Sequence, residues 1–266
     1  MRSATAATSA QGHPASSCGI WHVAPGPNVR SFNNNLRAVA TVSSGDMWAV
    51  GSTYSNQILS PSSTLTDHWN GTRWSIVPSP NVRSASNFLS AVAAVSSSDV
   101  WAVGSYYIDD RGSVGKTLIE HWNGTSWSIV PSPNVGSSFN QLDGVAVVSA
   151  SDIWAAGNYI SQNPAKTLIE HWNGTSWRVV ASPGPRASNN ELDQVTVASA
   201  NDIWTVGSFS ITNGNDQTLT EHWNGTSLNV VASPNVGSYS NYLRGVAAVS
   251  PQDIWAVGLL TVAEFV

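Results

Sequence analysis

The sequence predicts an all-β chain: a five-bladed β-propeller of four-stranded antiparallel blades, the last blade closed by the N-terminal strand. Three observations predict it. First, the segment Ser98-Asp99-Val100-Trp101-Ala102-Val103-Gly104 recurs, with its aspartate at Asp46, Asp99, Asp152, Asp202 and Asp253 and spacings of 53, 53, 50 and 51 residues. Second, each unit holds four short runs rich in Val, Ile, Trp and Thr, bounded by Gly, Pro, Asn or Ser, which is how strands and their turns are written. Third, the two chain ends carry complementary pieces of one unit. Four antiparallel strands repeated at such a period are the pattern of propeller blades.

The strands follow in order. Strand A begins at a leucine, in the form Leu-x-x-Val, at Leu36, Leu89, Leu142, Leu192 and Leu243; in the second repeat it runs from Leu89 to Val95. A tight Ser-Ser-Ser-Asp turn leads to strand B, Val100 to Gly104. Strand C, Thr117 to Trp122, ends in His-Trp, with histidines at His68, His121, His171 and His222. Asn-Gly then joins C to strand D, Ser126 to Val130. That dipeptide is the signal of a type I′ hairpin turn, which needs φ > 0 at both central residues. No window shows a helical period. The stretch from Trp21 to Asn28 echoes strand D with no A, B or C before it, and Thr261 to Val266 echoes strand C with no D after it. Pairing them completes the fifth blade and removes the open edge. Residues 1–20 read as a disordered lead-in, and 21–266 as one propeller domain. Its repeats lie near 36–88, 89–141, 142–191, 192–242, and 243–266 joined to 21–28.

Composition narrows the function. Charged residues make up 10% of the chain, the net charge is −5, and the 11 Lys and Arg are scattered. This argues against nucleic acid and against an anionic membrane surface as partners. No apolar run is long enough to span a bilayer. A single cysteine, Cys18, rules out an intrachain disulfide. All 13 Trp fall on repeat positions in strands B, C and D, which assigns them to packing between blades. The repeated Asp can hold the turn before strand B, and the repeated His can pair with the aspartates or with neighbouring carbonyls inside each blade. One His per blade, far from the next, makes no metal site. No Walker loop, dinucleotide glycine motif or Ser-His-Asp set stands out, so no cofactor is expected.

The pattern Ser-x-x-Asp-Val-Trp-Ala-Val-Gly followed by Thr-Leu-Ile-Glu-His-Trp-Asn-Gly-Thr-Ser-Trp resembles the Trp-rich propeller repeats of bacterial surface and secreted proteins. It is loosely similar to kelch and WD-type blades, and the blade count is similar to that of tachylectin-type sugar-binding propellers. The resemblance covers Trp21 to about Val266. It implies a propeller at the cell surface or outside the cell, and it leaves function open, because this fold hosts lectins, hydrolases and scaffolds alike.

The A-to-B and C-to-D turns are minimal, whereas the D-to-A and B-to-C loops, on the opposite face, are long and variable; such loops are where function usually sits. They carry Tyr54, Tyr106, Tyr107, Tyr159, Phe209 and Asp216. Tyr106 and Tyr159 are candidates for stacking on a sugar, or else pack the loop bases. Two residues before each leucine stands an asparagine: Asn34, Asn87, Asn140, Asn190 and Asn241. These amides either ring the channel mouth and bind a ligand, or cap their own turns. The residue after each leucine breaks the repeat: Arg37, Ser90, Asp143, Asp193 and Arg244. Closure sets Arg244 beside Arg37, opposite Asp143 and Asp193. The expected function is non-enzymatic binding of a carbohydrate or protein, by a monomer, through this face. The alternatives are glycan hydrolysis with Asp143 and Asp193 as catalytic carboxylates, or a scaffolding role within a larger surface protein.

Overall fold

The computed structural model describes residues 23–29, 33–54, 61–82, 86–108, 114–185, 189–211 and 214–261. Its first blade is β1 (Asn33–Ser43), β2 (Asp46–Tyr54), β3 (Ser63–Trp69) and β4 (Trp74–Ile76). The second is β5 (Asn87–Ser96), β6 (Asp99–Tyr107), β7 (Gly115–Trp122) and β8 (Trp127–Ile129). The third is β9 (Phe139–Ser149), β10 (Asp152–Ile160), β11 (Lys166–Trp172) and β12 (Trp177–Val179). The fourth is β13 (Asn190–Ser199), β14 (Asp202–Ser210), β15 (Asp216–Trp223) and β16 (Leu228–Val230). These four sheets are four-stranded antiparallel meanders, and β17 (Asn241–Ser250) pairs with β18 (Asp253–Leu260) in a fifth, two-stranded sheet. The described residues are all-β, and the A strands β1, β5, β9, β13 and β17 pack one on the next in series.

One local device recurs in every A–B hairpin. The register slips after the leucine, so that Arg37, Ser90, Asp143, Asp193 and Arg244 each sit unpaired in a β-bulge. The glycine opposite makes room for it. A Cβ on Gly51, Gly104, Gly157, Gly207 or Gly258 would lie 1.8–2.1 Å from the carbonyl oxygen of the residue preceding the leucine. Bulges bend a strand and re-aim a side chain, and the residue in this bulge varies between blades.

The core lies between blades. Trp48 and Val50 of the first pack with Leu89, Ala102, Leu118 and Trp127 of the second. The same pattern joins the second to the third and the third to the fourth. The strand-B tryptophan of one blade meets the C and D tryptophans of the next. Trp48 lies 4.8 Å from Trp122 and 5.2 Å from Trp127, and Trp101 lies 4.9 Å from Trp172. Within each blade the expected Asp–His pair forms: Asp46–His68, Asp99–His121, Asp152–His171 and Asp202–His222, at 2.7–2.9 Å. Trp101, Trp154 and Trp204 donate their indole N–H to the same aspartates. Both residues are thereby fully engaged in structure.

Two details differ from expectation. The C-to-D hairpin is a four-residue loop, not a two-residue type I′ turn: Trp69 pairs with Trp74 across Asn70 to Arg73. Asn70 Oδ1 accepts from Thr72 N, Thr72 Oγ1 and Arg73 N, and only the glycine, at φ 90, needs the left-handed region. The side-chain bonds replace a second φ > 0 residue. The N-terminal strand is the other case. Residues 23–29 carry no strand, and Val23 is 96% exposed. The remainder of the expected pairing, 21–22 with 262–266, lies outside the described residues. Among the described residues β1 and β17 do not pack together as the other A strands do. Their ends stay open, with Leu36 48% and Trp255 65% exposed.

Candidate functional site

In three consecutive sheets the bulge side chains Asp143, Asp193 and Arg244 interact. Arg244 Nη1 pairs with Asp193 Oδ1 at 2.6 Å, across the seam between the fourth and fifth sheets. The guanidinium also lies 5.2 Å over the Tyr242 ring. Gln141 Nε2 donates to Asp143 Oδ1. Burial pushes Asp143 up to about 7; the Gln141 bond opposes this, Asp193 and Glu191 add to it, and the distant Arg37 charge opposes it. Asp193 is raised by burial and held back by Arg244. Its second oxygen, Oδ2, is buried without a partner. Glu191 is raised by burial and then by Asp193, against the pull of Arg244. Packed carboxyls disfavour one another's ionisation, and Asp143 is the one pushed up to about 7.

Beside this cluster lies a cavity of 230 Å³ lined by Glu191, Asp216, Tyr242, Phe209, Ser208 and Ser210. The Tyr242 hydroxyl donates to Asp216 Oδ2, and Ser210 Oγ donates to Asp216 Oδ1 at 2.6 Å. The wall thus combines carboxyl acceptors, hydroxyls and two aromatic rings. This is the mixture that recognises a polyhydroxylated ring, with directed hydrogen bonds around its edge and an apolar contact on its face.

Of the residues singled out in the sequence, Asp143 feels the charges of Asp193 and Arg37, and Asp193 pairs with Arg244. Four of the five asparagines fasten their own loops, while Asn190 keeps only the bond from its Nδ2 to Pro185 O. Val82 N donates to Asn87 Oδ1 at 2.9 Å, and Asn87 Nδ2 donates back to Val82 O at 3.1 Å. Asn34, Asn140 and Asn241 hold their own D-to-A loops in the same manner. Asn87, Asn140, Asn190 and Asn241 are buried. Tyr106 packs against the core between the first two blades and Tyr159 against the core between the second and third, and Tyr159 also lines two grooves on the loop face. Sequence reasoning missed Gln141, Glu191 and Tyr242. The signal was present: the residue before each leucine also breaks the repeat, as Asn35, Phe88, Gln141, Glu191 and Tyr242. Among the described residues no group of His, Cys, Asp and Glu is placed to hold a metal, and no helix is long and apolar enough to cross a membrane.

The sequence matches no protein family and no curated protein. Solved structures do match. A GH93 α-L-arabinofuranosidase of Fusarium graminearum in complex with arabinobiose is 10% identical, with a TM-score of 0.54, covering 82% of this chain and 76% of that one. An α-L-arabinanase of Penicillium chrysogenum with arabinobiose is 12% identical, with a TM-score of 0.52, covering 81% and 78%. A protein of unknown function from Dyadobacter fermentans is 11% identical, with a TM-score of 0.52, covering 85% and 76%. At such identities the likeness speaks to the fold, which is that of β-propeller proteins.

Proposed function

We propose that the chain is a non-enzymatic, carbohydrate-binding propeller that takes a sugar at the channel mouth, between the third and fifth blades. The observation that carries this reading is the cavity of Glu191, Asp216 and Tyr242 beside the Asp193–Arg244 pair. Its residues occupy the positions where an otherwise repetitive chain varies. Two fold neighbours hold arabinobiose, but the reading rests on this chain's own polar cavity. A single copy suffices for such a site, and extracellular or cell-surface glycans are its natural ligands.

One observation favours hydrolysis as a second reading. Asp143, pushed up to about 7, stands near Asp193, which Arg244 holds lower. Carboxyls with diverging environments are the raw material of acid–base catalysis. A glycan array followed by an assay for new reducing ends separates the two readings. The expected result is binding of one glycan class without turnover, weakened about tenfold or more by Glu191→Gln or Tyr242→Ala. Unchanged affinity in both variants, or no glycan bound, overturns the site. Turnover that is abolished by Asp143→Asn replaces binding with hydrolysis.

A further inference from the structure

Three blades fasten the D-to-A loop to strand C in one way. The backbone N–H of Thr64, Thr117 and Thr218 donates to the side-chain oxygen of Asn81, Asn134 and Asn235, each at 2.9 Å. The threonine hydroxyls meet Ser79, Ser132 and Ser233 at 2.6–2.7 Å. The third blade keeps the hydroxyl contact, Thr167 to Ser182 at 2.6 Å, but has Gly184 in the asparagine's place. The Thr167 N–H thereby loses that side-chain acceptor. The next residue departs too. Where Val29, Val82 and Val236 donate their N–H to the following Asn34, Asn87 and Asn241, this loop has Pro185, which has no N–H to give. Asn190 is 5% exposed, and its Oδ1 has no partner among the described residues.

Both departures face one groove of 440 Å³, lined by Tyr159, Lys166, Thr167, Ser182, Gly184 and Asn190 among others. A second hollow of 370 Å³ shares Tyr159 and Lys166 and continues past Ser137, Ser161 and Gln162. Together they form a track longer than one small molecule. Lys166 is exposed and makes no ion pair among the described residues. A buried acceptor left unmade costs free energy that a bound donor returns. Asn190 faces this groove while its neighbour Glu191 faces the channel-mouth cavity. The two sites therefore lie on opposite faces of β13, as alternation along a strand requires.

We propose that this groove is a separate binding site for an acidic oligosaccharide. A sugar hydroxyl donates to Asn190 Oδ1, a second oxygen accepts from Thr167 N–H, a uronate carboxylate pairs with Lys166, and the ring lies on Tyr159. The site exists because the third blade gave up two residues of the repeat, so restoring them should close it. Gly184→Asn combined with Pro185→Val is the decisive variant. A Cβ on Gly184 meets Thr167 Oγ1 at 3.5 Å and Asn190 Nδ2 at 3.6 Å, ordinary contact distances, and the φ of 37 there strains asparagine less than most residues. The restored asparagine and N–H offer the hydrogen bonds the other blades make, and a thermal melt establishes that the variant is folded before its binding is read. The probes are uronate oligomers of galacturonate, of alginate and of glucuronate-containing chains, each beside a neutral oligomer of equal length, measured by titration calorimetry. The expected result is salt-sensitive binding of at least one acidic oligomer in preference to its neutral counterpart. That binding should weaken about tenfold or more in Lys166→Gln, disappear in the double variant, and persist in Glu191→Gln, which reports on the channel-mouth site. The proposal is overturned if no acidic oligomer binds, if the neutral oligomers bind as tightly, or if a well-folded double variant binds like the parent.

Discussion

Glu120 and Glu170 occupy the same repeat position, on β7 and β11, and both are completely buried. Neither oxygen of either carboxyl has a hydrogen-bond partner. Burial pushes both up to about 8; Ser79 lies close enough to Glu120 to oppose this slightly, without hydrogen-bonding geometry. In the fourth blade Ser182 Oγ lies 2.8 Å from both oxygens of Glu221, which it can satisfy one at a time. The first blade has the shorter Asp67, raised to about 6 by burial. Glu120 and Glu170 keep their protons in the folded chain at neutral pH, whereas the unfolded chain loses them near 4.5. The unfolded state therefore binds fewer protons between about 4.5 and 8, and stability falls across that window as pH rises. Below it the penalty is absent, and above it the penalty is constant. Glu170→Gln copies the neutral form without the ionisation. Its stability relative to the parent should grow from pH 5 to pH 8 by a few kcal/mol, and then level. Urea unfolding at intervals across that range is the check. A difference independent of pH means that Glu170 is already ionised in the fold.

At the scale of the strand, the unit that makes the scaffold and the site at once is the A–B hairpin with its bulge. The glycine of strand B cannot be replaced without moving backbone. On Gly104 a Cβ would stand 2.0 Å from Phe88 O and 2.9 Å from Leu89 Cα. Relief requires straightening the bulge, which turns Ser90 and its neighbours out of register. Gly104→Ala should cost ~3 kcal/mol or more, as overpacking against an unyielding neighbour does, and lower Tm accordingly. A near-neutral effect on Tm means that the bulge is not fixed. The strands, their order and the Asp–His pairs were legible in the sequence, because each rests on a residue type that recurs at a fixed offset, such as Asp99 and His121. The bulge was not, because a one-residue slip leaves no mark on composition. It arises from the close approach of Gly104 to the Phe88 carbonyl. The turn at Asn70 was misread for a related reason: its shape is set by three bonds to one side-chain oxygen, and the dipeptide alone does not reveal them. Half of the candidate site was legible, since Arg37, Asp143, Asp193 and Arg244 break the repeat one position after the leucine. Glu191 and Tyr242 break it one position before the leucine, and their importance emerges only from the cavity they share.

At the scale of the molecule, the packing rule between blades states what closure requires. The strand-B tryptophan of each blade seats on the C and D positions of the next: Trp48 on Trp122 and Trp127, Trp101 on Trp172 and Trp177, and Trp154 on Trp223. Two seats are then outstanding. Trp204 calls for the D-strand tryptophan of the fifth blade, the position that Trp21 holds in the repeat. Trp255 calls for Trp69 and Trp74 of the first, which already lie 5.8 Å from each other. In the described residues Trp255 is 65% exposed, with Val249 and Val257 open beside it, and Leu36 and Val39 are open on β1. The two open ends are both apolar, so the hydrophobic effect favours covering them. We propose that they cover each other, in the five-bladed ring closed through residues 21–28 that the sequence predicts. Its consequence is measurable at a single side chain. In a closed ring Trp255→Ala removes a buried indole and should lower the unfolding free energy by ~3 kcal/mol or more, as large-to-small core changes do. Trp101→Ala, whose indole is buried in the described fold, sets the scale. Deleting residues 1–28 should bring much of the loss of stability without any tryptophan being changed in the described blades. If Trp255→Ala is neutral while Trp101→Ala is costly, the ends stay apart, and the site at the seam of the fourth and fifth sheets is held without a closed ring.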